Sequence, residues 1–205
     1  MSDYQFTKAH HLLAYILSKS KEPGNIELMK LVYLVDVEYY RLFGKLLSDF
    51  RYVRQRLGPW SSKFPEVNSE LENNGIIKTI SKLSRGGSPI LKEAHKFINS
   101  KFQPELLPEE KEVADGVLKK FANLPPKKIE QESYRTEPMQ EILKDEEKLG
   151  KKLIGMLLNF SSIRRDEFMK NWLNNRRKFS ERKPDLEYEE FLLKEKQGFT
   201  ALMHD

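Results

Sequence analysis

The 205-residue chain contains no cysteine. Disulfide staples, thiolate nucleophiles and Cys-based zinc sites are therefore excluded together. Long apolar runs are missing as well: nothing approaches the ~20 consecutive apolar residues of a membrane-spanning helix, so no membrane partner is expected. The opening Met1-Ser2-Asp3-Tyr4 lacks the basic stretch and apolar core of a secretory signal, and the expected location is the cytoplasm. Histidine is scarce. His10 and His11 are adjacent, diverge by about 100° on a helix and cannot chelate one ion together, while His95 and His204 stand without a ligand pattern. No metal site is expected.

Nucleotide and hydrolase motifs are also lacking. Arg85-Gly86-Gly87-Ser88 is too short for a phosphate loop and lies between strand patterns instead of before a helix. Ser61-Ser62 follows Gly58-Pro59-Trp60 without forming a nucleophile elbow. The neighbouring acids Glu109-Glu110 and Glu146-Glu147 point apart on helices and read as solvated. Catalytic residues and cofactors are therefore not expected, and neither is an enzyme.

What is present is charge and helical periodicity. Charged residues make up 33% and hydrophobic residues 39% of the chain, which suits a helix-rich fold with a charged surface and a real core. A net charge of +5 admits an acidic partner, but both signs are interspersed, so nucleic acid is not the favoured ligand. The clusters Arg164-Arg165, Arg176-Arg177-Lys178 and Arg182-Lys183 lie near Trp172 and Phe179. Such interleaving can serve single-stranded nucleic acid; a solvated helix face with an aromatic anchor explains it more simply.

The segment Leu28–Trp60 carries the most information. At about 100° per residue, Leu31, Val32, Val35, Tyr39 and Leu42 form one stripe, and Met29, Tyr33, Asp36, Tyr40 and Phe43 a second. Only Glu27, Lys30, Glu38 and Arg41 remain for a polar edge, so this helix is expected to be central. Gly44 supplies a C-cap signal. A turn at Leu47-Ser48-Asp49 leads into the strand-like run Phe50–Leu57, which is expected to stop at Gly58-Pro59-Trp60.

Asp36 is the anomaly, a carboxylate on a face that should be buried. Burial without a partner costs several kcal/mol, so it must be neutralised, paired or partly wet. Arg51, Arg54 and Arg56 on the ribbon, with Tyr33 and Tyr40 one turn away, would supply an Asp–Arg–Tyr network. The cluster expected from this pattern comprises Lys30, Tyr33, Asp36, Tyr40, Tyr52, Arg54, Arg56, Gly58, Pro59 and Trp60. It either orients the ribbon alone or also lines a concave recognition site, with Trp60 and Tyr52 at its rim; Arg and aromatic residues are the usual interface hot spots.

Elsewhere, helices are expected at Thr7–Ser20, from Asn25 as N-cap, at Ser61–Asn74, from Pro108 to about Asn123, and around Lys127–Glu132. Ile76–Lys82 and Ser88–Lys92 flank a hairpin turn, with Pro89 confining the second arm to an edge or strand start. Further helices are expected at Met139–Phe160, Asp166–Lys178 and from Asp185 to about Lys196, with a joint at Phe179–Pro184. The fold class is mainly α with minor β: a compact helical domain with a short ribbon and hairpin over residues 1–138, and a helical extension over 139–205 packed on it.

This arrangement resembles the Panacea domain of SocA-like antitoxins and the genetic-element-protein A type. The family shows a K-L-x-Y-L-x-D helix, an R-x-x-G turn and a strand ending in Y-G-P. The matching residues are Lys30-Leu31-Val32-Tyr33-Leu34-Val35-Asp36, Arg41-Leu42-Phe43-Gly44 and Leu57-Gly58-Pro59, with Leu57 in place of Tyr. A weaker match runs from Leu107 to Met139 and ends in Ser133-Tyr134-Arg135-Thr136-Glu137-Pro138, where Tyr134 replaces the His of an S-H-x-x-x-P segment. The resemblance implies a non-catalytic antitoxin of a mobile genetic element that neutralises a co-encoded toxin by direct contact. In the SocA branch it further implies an adaptor handing the toxin to a cytoplasmic protease. Partner choice would then lie in the C-terminal extension, through Trp172, Phe191, Leu192 and Phe199. The alternative is a DNA-binding regulator in which helices and the Ile76–Lys92 hairpin act as a winged helix and Arg85 meets phosphate. Against it, the preceding helix carries Glu66, Glu70 and Glu72.

Overall fold

The computed structural model describes residues 5–83 and 91–165. These belong to one compact unit that runs to Asp166. In chain order they form α1 (Lys8–Lys19), α2 (Asn25–Phe43), β1 (Val53–Gln55), β2 (Gly58–Trp60), α3 (Lys63–Asn73), β3 (Ile77–Leu83), β4 (Leu91–Phe97), α4 (Pro108–Phe121), α5 (Pro126–Tyr134) and α6 (Glu137–Leu149). The fold is mainly α with two small antiparallel two-stranded sheets, β1–β2 and β3–β4.

α2 is the axis. Every residue from Leu28 to Val37 is buried, and α1, α4 and α5 pack around it together with β2. That is the outcome of two adjacent apolar stripes. The expected polar edge fails at Lys30, which is buried against β2. Gly24, not Asn25, caps the helix. Asn25 is its first residue, and its side-chain oxygen instead lies 2.6 Å from His95 Nε2. At the other end Gly44 takes the left-handed conformation, φ +69°, and its N–H donates to Tyr40 O at 2.8 Å. The adjacent histidines part as helical geometry requires: His10 Nε2 meets Glu70 at 2.7 Å, and His11 stacks on Phe102.

Two strand expectations are corrected. The run Phe50–Leu57 does not end in a stop signal; Gly58–Trp60 is itself a strand, pairing Val53 with Trp60 and Gln55 with Gly58. The second hairpin arm lies further along than Ser88–Lys92, with Ile77 opposite Phe97 and Leu83 opposite Leu91. Arg85, Gly86, Gly87 and Pro89 are outside the described residues. Ala94 and His95, on opposite faces of that arm, are both buried.

The expected helix Met139–Phe160 is corrected too. α6 ends at Leu149 because Gly150 adopts φ +63°. Leu153–Met156 then forms a turn with Gly155 at φ +86°, the chain around Leu157 lies along β1, and a 3-10 turn follows at Phe160–Ser162. Leu149, Met156 and Leu157 are exposed, whereas Ile142 is buried. A continuous apolar run of this kind cannot be assigned to helix or strand by periodicity alone. The helices expected at 166–178 and 185–196 lie outside the described residues, as do Trp172, Phe191, Leu192 and Phe199.

α5 is short and polar, so its place depends on few apolar contacts; Ile129 is its fully buried anchor. Ile129→Ala should destabilise the protein by about 2–5 kcal/mol in urea unfolding. A loss below about 0.5 kcal/mol would contradict the packing of α5 on α2.

Candidate functional site

Three polar centres hold the ribbon: two tie it and the loop before it to α2, and the third ties it to α5 and α6. The first is Asp36, fully buried. Its Oδ1 accepts the Leu47 and Ser48 backbone N–H groups at 2.7 and 2.9 Å, and its Oδ2 accepts the Tyr52 hydroxyl at 2.5 Å and the Ser48 hydroxyl. Four donors thus converge on one carboxylate. Burial pushes the Asp36 carboxyl above its ordinary range, and these donors pull it part of the way back. The Tyr52 phenol is pushed well up, first by burial and then by the Asp36 charge. Around them Tyr33, Phe50 and Phe160 pack edge-on or tilted against the Tyr52 ring.

The second centre is Lys30. Its ammonium is buried and donates to Pro59 O at 2.7 Å. Burial lowers its pKa to about 8, with the nearby Arg54 cation adding to the effect and Glu130 opposing it. Gly58 sits beside it at φ +96°, where a Cβ would approach Lys30 Cε, Lys30 Nζ and Tyr134 Cε2 to 3.3 Å each. The Gly58-Pro59 pair therefore has two reasons: a left-handed backbone open to glycine, and a close approach to the lysine.

Arg54 makes the third centre. Its Nε and Nη2 donate to the two Glu146 oxygens at 3.1 and 3.3 Å, and Nη1 donates to the Tyr134 hydroxyl at 3.0 Å and to Gln55 O. The guanidinium also lies over the Tyr134 ring. Burial works against this cation, but Glu146 and Tyr134 more than offset it. Tyr134 in turn donates to Arg56 O at 3.2 Å. Below this, Tyr33 Oη lies 2.6 Å from Thr136 Oγ1, and Arg41 grips Glu137 with two bonds of 2.6 and 3.0 Å. The α5–α6 joint is thereby fixed to α2.

The expected Asp36–Arg–Tyr network is therefore replaced by two separate ones. Arg54 pairs with Glu146 on α6, and Asp36 is satisfied by the loop that follows α2. Tyr33 reaches Thr136, while half-buried Tyr40 packs on the Phe160 ring. Tyr52 is buried, not at a rim. Half-buried Trp60 meets Phe64 edge-on, and the Arg56 side chain is exposed beside Leu57. Ser48, Tyr134, Thr136 and Glu146 are participants that sequence reasoning missed. Glu146 stands four residues after Ile142, on the buried stripe of α6, and that spacing was the available signal. Among the described residues no three His, Asp or Glu side chains gather in a metal-binding cluster, and no helix is long and apolar enough to cross a membrane.

A family model described as antitoxin SocA-like, Panacea domain, matches residues 28–139, more than half of the chain. The match starts on α2 and ends in the first turn of α6, so it takes in every element of the three centres except Glu146. No curated protein and no solved structure matches the chain.

The buried ammonium generates a pH dependence. The Lys30 pKa falls from an ordinary 10.5 to about 8 on folding, so its contribution to stability is present above the unfolded value and lost as pH drops through the folded one. Relative to Lys30→Met, wild type should gain about 2–3 kcal/mol between pH 7 and pH 10. Chemical unfolding of both proteins across that range checks this; a constant difference would contradict a buried, charged Lys30.

Proposed function

This chain belongs to the SocA-like antitoxin family that carries the Panacea domain, and we propose that it neutralises a co-encoded toxin by direct protein–protein contact. The supporting observation is the exposed tip Arg56-Leu57, held on buried polar anchors: Lys30 beneath Pro59, Arg54 on Glu146, and Tyr134 on the Arg56 carbonyl. A tip fixed in this way pays little ordering entropy on binding, which is the general benefit of preorganisation. Arg56, Leu57 and half-exposed Trp60 have hot-spot chemistry. Asp36 and Lys30 belong on this account to the supporting frame, and no catalytic chemistry is assigned to them. The residues after Pro138 form an extension that adds partner choice. The same proposal places the protein in the cytoplasm and includes delivery of the toxin to a protease, which would shorten the toxin's half-life.

The winged-helix alternative has less support. α3 exposes Glu66 and Glu72, and Glu72 is occupied by Thr79 at 2.7 and 2.9 Å. An acidic face of this kind repels the phosphate backbone.

The test begins with a neighbouring reading frame whose expression alone arrests growth. Co-expression of this chain should restore growth, and the purified pair should bind. Arg56→Ala combined with Leu57→Ala should weaken binding by about thirtyfold or more with an unchanged melting temperature. Failure to rescue any such neighbour would overturn the antitoxin assignment; rescue untouched by the double substitution would overturn the tip.

A further inference from the structure

After the cap at Gly150 the chain returns along β1. Arg54 N–H donates to Met156 O at 2.8 Å, Gly155 N–H to Arg54 O at 2.7 Å, and Leu158 N–H to Tyr52 O at 2.9 Å. Val53 and Leu157 face each other as an antiparallel bridge, so residues 155–158 add a third row to the β1–β2 ribbon. On the far side of the ribbon, β2 is packed against α2 and α5. Among the described residues the third row is the open edge. The bonds flank the Val53–Leu157 pair instead of joining it, which turns Leu157's own N–H and C=O away from β1.

The side chains on this row are apolar and out in solvent. Ile154 is 46%, Met156 47% and Leu157 59% exposed, and Leu149 at the end of α6 is 59% exposed, whereas Leu158 is buried as the anchor. Proteins ordinarily blunt such an edge with charge, proline or cover. Here the flanking charge is mainly cationic: from Lys148 to Arg165 the chain has Lys148, Lys151, Lys152, Arg164 and Arg165, and no Asp or Glu; Lys148 pairs with Asp145 at 3.3 Å and Lys152 with Glu146 at 3.5 Å, while Lys151 is exposed to solvent. Nucleic acid would meet the cations but leave the apolar row uncovered. A docked helix would leave the Leu157 amide and carbonyl unpaired, because its own backbone groups are used internally.

We propose that residues 155–158 are a strand-addition site for an extended segment of a partner protein, apolar and flanked by carboxylates. The Leu157 N–H and C=O pair with its backbone, Ile154, Met156 and Leu157 are covered by its apolar side chains, and Lys151 meets its acids. The proposal rests on the antitoxin assignment for the partner's identity, the toxin, but the edge itself can be tested without it.

Two probes are used with the full chain: a synthetic decapeptide alternating Val and Glu, and the product of the growth-arresting neighbouring gene. Each should slow hydrogen–deuterium exchange at 155–158, by about tenfold at Leu157 at saturation. Methylating alternate amide nitrogens of the peptide should abolish its binding, and Lys in place of Glu should weaken it. Leu157→Pro removes the outward N–H and should also abolish binding. Since that change can unfold the turn, Lys151→Glu is the second variant, expected to weaken the Val/Glu peptide by about threefold. If neither probe slows exchange at 155–158, the strand-addition site is wrong. Binding of the gene product with protection elsewhere, undisturbed by Lys151→Glu, also removes the edge while leaving the antitoxin assignment intact. Binding of the peptide without the gene product supports the edge and removes that pairing. Concentration-dependent protection with no probe present makes a second copy the occupant and overturns the proposal.

Discussion

The Asp36 carboxylate, taking four hydrogen bonds from the loop behind α2, is the contact on which the rest of the candidate site depends. A loop buried against a helix needs partners for its backbone groups, since leaving them unpaired costs as much as a lost hydrogen bond. The Leu47 and Ser48 amides find theirs on Asp36, and Ser48 and Tyr52 add their hydroxyls. Because Tyr52 immediately precedes β1, the direction in which the ribbon leaves the core is set by this one side chain. Lys30 then catches the ribbon at its return strand through Pro59. The helix thus grips both legs of the hairpin with ionisable groups of opposite sign, each fully buried.

Such groups weaken the fold if judged by desolvation alone. Burial penalises both Asp36 and Lys30 in their charged forms, and an apolar pair of equal volume would be no less stable. What the polar arrangement adds is orientation. An apolar contact tolerates sliding; four directed bonds to one carboxylate do not. The consequence is a rigid ribbon whose tip, Arg56-Leu57, and whose outer row, residues 155–158, face solvent on a fixed base. The Arg54–Glu146 pair connects these two surfaces, since Glu146 also accepts the Leu153 N–H at 2.9 Å, two residues before the outer row. A protein acting by the proposed direct contact needs this kind of frame.

Much of the frame was legible in the residues. Two apolar stripes placed α2 at the centre, Gly44 ended it, and Asp36 stood out because a carboxylate on a buried face demands partners. The partners themselves were not legible. Three arginines lay close in sequence and suggested an ion pair, whereas the loop amides and Ser48, with no distinctive side-chain signal, satisfied Asp36 instead. Lys30 looked solvated because a lysine on the edge of an apolar stripe usually snorkels; only the backbone of Pro59, brought near by the left-handed Gly58, made burial feasible. The run Leu153–Leu158 read as helix because its apolar residues continue the α6 period on paper, and the glycine that breaks it, Gly150, precedes two lysines that suit a helix equally well. Tyr134 occupies a motif position, yet its role as a hydrogen-bond hub depends on α5 folding back onto the ribbon, a long-range fact.

The most direct test of this account is a double-mutant cycle between Asp36→Asn and Tyr52→Phe, read by urea unfolding at neutral pH. If the carboxylate orients the ribbon through Tyr52, the two substitutions should couple by about 1–3 kcal/mol. Additivity within about 0.3 kcal/mol would mean that Asp36 and Tyr52 act independently, and the ribbon's orientation would then have to come from packing alone.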